Sequence, residues 1–272
     1  MFLASAAAGA HEAGEGMSNE VIMHHLMDSN TMEFLFMEFH LPHIEIFGID
    51  ISITKHVIMM WLASLILVAM FGLSFRKKKM INRGLANFLE MIVLFVRDEV
   101  VYNTLGEKEG KKVLPYLLTV FFFILTCNLL GLIPWGATAT GNVSVTAALA
   151  ILSFILIQAK GMISQGFFKY YMNLVPKGIP VFVIPIMIPV EIIGLFTKPF
   201  ALCIRLFANM IAGHAVILSL LGLIFIAKAF LIPLPVLGAL AISMLEIFIA
   251  FIQAFIFTIL TSLFIGLAQH SH

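Results

Sequence analysis

The sequence predicts an all-α integral membrane protein. About five helices cross the membrane, an amphipathic helix lies on the cytoplasmic surface, and the C-terminal part forms a long, steeply tilted helical hairpin. Three observations carry this. Hydrophobic residues make up 61% of the 272 residues and charged residues only 11%, against roughly 25% charged in a soluble domain. The apolar residues gather in runs of about 20 or more, the length that crosses a hydrocarbon core of about 30 Å. The Lys and Arg residues collect at the ends of these runs in a pattern that fits one orientation. Mean hydropathy is +1.06.

Taken in order, residues 1–53 form an extracytoplasmic segment with eight acids (Glu12, Glu15, Glu20, Asp28, Glu33, Glu38, Glu45, Asp50) and no Lys or Arg. Phe2 to Ala10 is small and apolar but lacks a basic n-region. It reads as a flexible terminus or as the remnant of a cleaved signal at residues 1–10. The histidines His11, His24, His25, His40 and His43 lie here too. His40-x-x-His43-x-Glu45 invites a metal reading, but a solvated outer segment is the plainer one.

Residues 54–272 are expected to form a single membrane domain. The first span covers about 56–75 and is closed by Arg76-Lys77-Lys78-Lys79, a basic cluster that marks the cytoplasmic side. Ile81–Leu105 repeats its apolar residues at helical spacing but carries Asn82, Arg83, Asn87, Glu90, Arg97 and Asp98. That is too polar to span and suits a surface helix. A charged loop, Glu107 to Lys112, is expected next, followed by spans at about 113–133 and 142–159 joined by an uncharged outer connector. Lys160, Lys169 and Lys177 mark the return to the cytoplasm. Residues 181–232 run on as two spans or as one long tilted or broken helix. Pro233-Leu234-Pro235 makes a turn, and 236–268 is the last span. At 1.5 Å per residue both final runs overshoot the membrane core. The N-terminus is then periplasmic and the C-terminus cytoplasmic. Cys127 and Cys203 sit in apolar runs and read as small buried hydrophobes.

Inside these runs stand a few charges. Arg205 lies near mid-span, where an arginine costs about 2.5–3.5 kcal/mol on insertion scales, and its guanidinium cannot escape by losing a proton. It needs a carboxylate partner such as Glu191 or Glu246, or a water-filled path. Glu191, Lys198 and Arg205 follow each other at seven-residue steps, each about 20° short of two full turns, so they share one stripe, which Asn209 extends. Glu191 and Lys198 can also be read as snorkelling residues at the interface. On the last run Glu246 and Gln253 share a face, with Ser243 one turn away. Folding the hairpin so that Arg205 faces Gln253 brings His214 and Glu246 to similar depth, although His214 then lies about 180° round from Arg205. A His–Glu couple there suits a proton relay or a buried hydrogen bond without a transport role.

Catalytic motifs are absent: there is no HExxH and no GxSxG. Gly161 and Gly166 have the first spacing of a P-loop, but Phe167-Phe168 stand where Lys-Ser/Thr is required. The chain is expected to be non-catalytic and to bind no nucleotide by that route, no nucleic acid, no metal and no cofactor.

The stretch Leu195-Phe-Thr-Lys-Pro-Phe-Ala-Leu-Cys-Ile-Arg205-Leu-Phe-Ala-Asn-Met-Ile-Ala-Gly-His214 resembles the signature of subunit a of F-type ATP synthases, as does Glu246-Ile-Phe-Ile-Ala-Phe-Ile-Gln253 through Thr261. The resemblance covers Val113 to the C-terminus well and His56–Leu105 in layout. It implies a stator subunit beside a rotating ring of subunit c proteolipids, with subunit b of the peripheral stalk and the rest of the synthase as further partners. The Ala208-Asn-Met-Ile-Ala-Gly-His214 wording also occurs in mitochondrial relatives, but length and the signal-like start favour a bacterial inner membrane. The resemblance also implies two half-channels. Arg205 would sit between them, keep the passing ring carboxylate ionised and block a direct leak. His214 and Glu246 would line the outer path with Asn209 and Gln253 nearer the arginine, and Glu191 would match a position on the cytoplasmic side. Two alternatives are a secondary transporter with broken helices, which should show inverted repeats, and an intramembrane metalloprotease, for which only His56 and His214 are available as span histidines.

Overall fold

In the computed structural model the described residues are 31–34, 37–40, 45–46, 49–50, 54–76, 84–133, 138–172, 184–226 and 233–269. Before the first helix, β1 (Thr31–Phe34) pairs antiparallel with β2 (Met37–His40), and β3 (Glu45–Ile46) with β4 (Ile49–Asp50). These two ribbons were not foreseen in the sequence. From residue 55 onward the described elements are helical, and five helices are long and apolar enough to cross a membrane.

Helix α1 (Lys55–Ser74) is the first of them. Its capping carbonyl is that of Thr54, which accepts from the Val57 and Ile58 amides at 3.1 and 3.3 Å. Helix α2 (Leu85–Phe95) starts after Gly84, which sits at φ 65. Its residues Ala86, Leu89 and Ile92 are buried, continued by Val96 and Val100 in the π-helical stretch Val96–Tyr102. Steps of three and four residues make that one stripe. The adjacent face exposes Leu85, Phe88 and Met91, so the helix has one apolar face against protein and another turned away from it.

The chain then enters α3 (Asn103–Gly131), interrupted at Gly106, whose φ of 72 and ψ of 166 only glycine adopts easily. The break falls where the sequence placed the end of its surface helix. The charged stretch after it is not a loop. Glu107 to Lys112 is helical, with Lys111 Nζ donating to Glu107 and Lys112 Nζ to Glu109, both at 2.6 Å. Those i,i+4 and i,i+3 pairs support a helix rather than interrupt it. The bonded lysines hold the Glu107 and Glu109 carboxyls below their ordinary range. Arg97, hydrogen-bonded at 2.7 and 2.9 Å, does the same for Asp98.

A 3-10 turn, Ala139–Gly141, leads into α4 (Val143–Gln165), followed by the short α5 (Phe167–Met172). The run from 181 onward resolves as one helix, α6 (Ile184–Ile226), 43 residues long with Pro189 and Pro199 inside it. That favours the single long helix over two spans. The final helix, α7 (Pro233–Gln269), begins on the proline that the sequence assigned to a turn. At the first helical position a missing N–H costs nothing and the fixed φ is already helical.

The chain packs as two compact units made of alternating stretches. One comprises Met1–Leu62, Cys127–Asn142 and Phe207–Ala250, the other Ala63–Thr126, Val143–Leu206 and Phe251–His272. The second has a core of buried residues that includes Leu89, Val96, Leu117, Phe121, Leu206 and Phe257. In lipid, helices gain little from hydrophobic burial against each other, so small residues and polar contacts hold them together. Helix α4 shows this. Thr146 meets Cys203 Sγ of α6 at 3.4 Å, Ser153 meets Tyr116 of α3 at 2.9 Å, and Gln165 Nε2 donates to Ala268 O of α7 at 2.9 Å. Thr104 and Ser262 share a further hydroxyl bond, and Gly266 of α7 runs close to the Thr104 carbonyl. In the first unit, Thr140 donates to Asn128 Oδ1 at 2.6 Å with both residues fully buried. Cys127 and Cys203 are free and buried, as small hydrophobes should be.

Candidate functional site

Helix α6 carries Glu191, Lys198 and Arg205 within an otherwise largely apolar run, with Arg205 near its middle and Glu191 about two turns from its start. All three charged side chains are half-buried. Lys198 and Arg205 line a cavity of about 460 Å³ together with Val190, Ile193, Gly194, Thr197, Ala201, Leu202, Leu260 and Phe264. The Lys198 ammonium lies over the Phe264 ring, 5.3 Å from its centroid, in cation–π geometry. The stripe read from the sequence thus opens partly into one cavity, which takes in the two cations but not Glu191. Leu260 and Phe264 of α7 are lining residues that spacing on α6 alone could not reveal. Gln253 of α7 is buried, at 5% exposure.

One turn past Arg205, Asn209 is exposed. Further along, Glu246 of α7 is 5% exposed and its carboxyl group packs against Gly213 of α6. Gly213 directly precedes His214, so the backbone register sets Glu246 level with that histidine. Leu220 beside Gly238 shows the same antiparallel register nearer the turn. The His214 side chain itself lies outside the described residues. So do the N-terminal His11, His24, His25 and His43 and the side chain of His40. Among the described residues no group of His, Cys, Asp and Glu is arranged to hold a metal ion.

Arg205 thus stands half-way along a largely apolar helix with Lys198 two turns before it, and within the other unit the Glu246 carboxyl packs against Gly213. Residues 57–266 match the family described as ATP synthase A chain. This chain belongs to that family. Relatives named ATP synthase subunit a agree. That of Chlorobium phaeobacteroides strain BS1 is 51% identical over 271 residues, covering 97% of this chain and 79% of the relative. "ATP synthase subunit a 2" of Prosthecochloris aestuarii is 52% identical over 272 residues, covering 97% and 83%. A more distant one, from Anaeromyxobacter, is 43% identical over 304 residues, covering 98% and 75%. The family match begins at residue 57, but coverage of 97% or more carries these alignments into the acidic N-terminal segment as well. Membership in the family sets aside the transporter and metalloprotease alternatives.

Proposed function

We propose that this chain is the proton-translocating stator subunit of an F-type ATP synthase. It would offer two aqueous half-channels to a rotating ring of subunit c, with Arg205 as the barrier between them. The observation that carries the reading is Arg205 itself, a permanent cation on a 43-residue apolar helix, bordering a cavity that it shares with Lys198. A proton moved through 100 mV releases about 2.3 kcal/mol. A fixed positive charge stops that energy from dissipating as a direct leak while a ring carboxylate passes. Exposed apolar residues on each helix support a greasy partner: Ile193, Phe196 and Phe200 on α6, and Leu240, Met244 and Phe248 on α7.

On this reading His214 and Glu246 line the outer half-channel, Asn209 and Gln253 stand nearer the arginine, and Glu191 and Lys198 serve the cytoplasmic side. The subunit itself is non-catalytic. It contacts the subunit c ring and subunit b within the synthase, in a bacterial inner membrane. Residues 54–272 act as one membrane domain, and residues 1–53 lie in the periplasm. With the N-terminus outside, five crossings would leave the C-terminus in the cytoplasm, so a cysteine introduced at His272 should resist an impermeant reagent applied from outside. The test of function is purification from native membranes followed by reconstitution. Co-migration with a soluble ATPase and a small oligomeric proteolipid, with ATP-driven acidification of vesicles, is the expected outcome. Isolation as a lone oligomer without ATP-coupled transport would overturn it.

A further inference from the structure

Glycine inside a helix is disfavoured relative to alanine, because it loses more backbone freedom on folding. Helix α6 nevertheless places Gly213 in its interior, and the reason lies on the neighbouring helix. A Cβ added at Gly213 would collide with Glu246 Oε1 and come within 3.0 Å of Glu246 Cδ and 3.2 Å of Cγ. The Glu246 carboxyl fills the volume that any other side chain at 213 would need. Gly194 of the same helix and Gly72 of α1 differ, with nothing within 4 Å of an added Cβ. At Gly213 the glycine provides a seat for one titratable group. Glu246 is 95% buried there, so it has little room to move aside.

We propose that Gly213 is a positioning residue for Glu246: its missing side chain lets the carboxyl rest directly against the α6 backbone, one residue from His214. The inference rests on the reading of Glu246 as part of the outer half-channel. Proton transfer needs donor and acceptor at hydrogen-bond distance, about 2.6–3.2 Å, and a displacement of about 1 Å can cost on the order of a hundredfold in rate. A methyl at 213 forces a displacement of that size. Shortening the acid by one methylene returns the space, so Glu246→Asp should relieve what Gly213→Ala causes.

The experiment measures ATP-driven proton pumping in inverted vesicles holding the whole synthase, normalised to assembled complex. It compares Gly213→Ala, Glu246→Asp, the double variant, Glu246→Ala and a control, Gly72→Ala. Gly213→Ala should slow pumping on the order of tenfold or more while Gly72→Ala pumps normally, and the double variant should recover several-fold over Gly213→Ala. Normal pumping in Gly213→Ala, or a double variant no better than Gly213→Ala, overturns the inference while leaving the half-channel reading intact. Normal pumping in Glu246→Ala removes that reading itself and the inference with it. If Gly213→Ala lowers the amount of assembled complex, the comparison is read on assembly. Restoration by Glu246→Asp then supports the seat, and no restoration overturns it.

Discussion

Around Lys198 and Arg205 the side chains are half-exposed on a cavity of about 460 Å³, with Val190, Ile193 and Leu260 among its walls. Glu246, by contrast, is 5% exposed, with its carboxyl close against Gly213. The same two helices, α6 and α7, supply both settings. A guanidinium stays charged at any physiological pH, so burying it dry would be costly and a cavity gives it room for water or a counter-charge. The Glu246 carboxyl instead sits where little solvent reaches it. The pair of helices therefore separates a fixed charge in an open setting from a titratable one in a closed setting. On the proposed reading the fixed charge is the barrier and the carboxyl belongs to the outer path.

The largest effect should come from the open end. Arg205→Ala is expected to abolish proton-driven ATP synthesis while the synthase still assembles, measured in vesicles energised by an imposed proton gradient. Arg205→Lys should fail as well, since a compact ammonium sheds its proton when desolvated and a guanidinium does not. At the closed end, His214→Ala and Glu246→Ala should each slow ATP-driven pumping by about a hundredfold, the scale of a lost proton-transfer group. Exchanging them, His214→Glu with Glu246→His, should retain more pumping than either alanine variant. A swap as inactive as the double alanine variant would separate the two residues and weaken the contrast between the ends.

Smaller effects belong to the scaffold. Thr140→Val removes the donor to Asn128 Oδ1 and leaves a buried acceptor without it. A loss of about 1 kcal/mol should lower the thermal midpoint in detergent without changing the proton path. The smallest effect is expected at the exposed pairs of α3. Glu107→Gln should leave pumping unchanged. The carboxyls of Glu107 and Glu109 are held below their ordinary range by Lys111 and Lys112. Any stability they add is therefore present at neutral pH, above the unfolded pKa, and is lost as the pH falls through their lowered values.

The spans were legible because run length is set by bilayer thickness: α1, the latter part of α3, α4, α6 and α7 lie where apolar runs of sufficient length lie. The break before the second span was legible at Leu105, beside Gly106. Charge alone misled at Glu107–Lys112, because a short polar stretch between apolar runs looks like a loop unless the Glu107/Lys111 and Glu109/Lys112 spacings are weighed. Pro233-Leu234-Pro235 misled likewise, since proline opens helices as readily as it ends them. The depth match of Glu246 with His214 followed from setting Arg205 opposite Gln253 and counting residues toward the turn, and the register at Gly213 fits that count. What no single helix could show was its counterpart across the hairpin. Gly213 acquires meaning only beside Glu246, and Phe264 only beside Lys198. The roles given to Arg205 and its neighbours came from resemblance, not from spacing.

The central claim is that Arg205 is the barrier between two proton paths. Its most direct test is passive proton flux through membranes stripped of the soluble ATPase, comparing the unaltered chain with Arg205→Ala at equal amounts of assembled membrane sector. Removing the guanidinium from the middle of α6 should join the two paths, so the alanine membranes are expected to conduct protons faster than the unaltered ones while coupled synthesis is lost. Unchanged passive flux together with substantial ATP synthesis in Arg205→Ala would contradict the account.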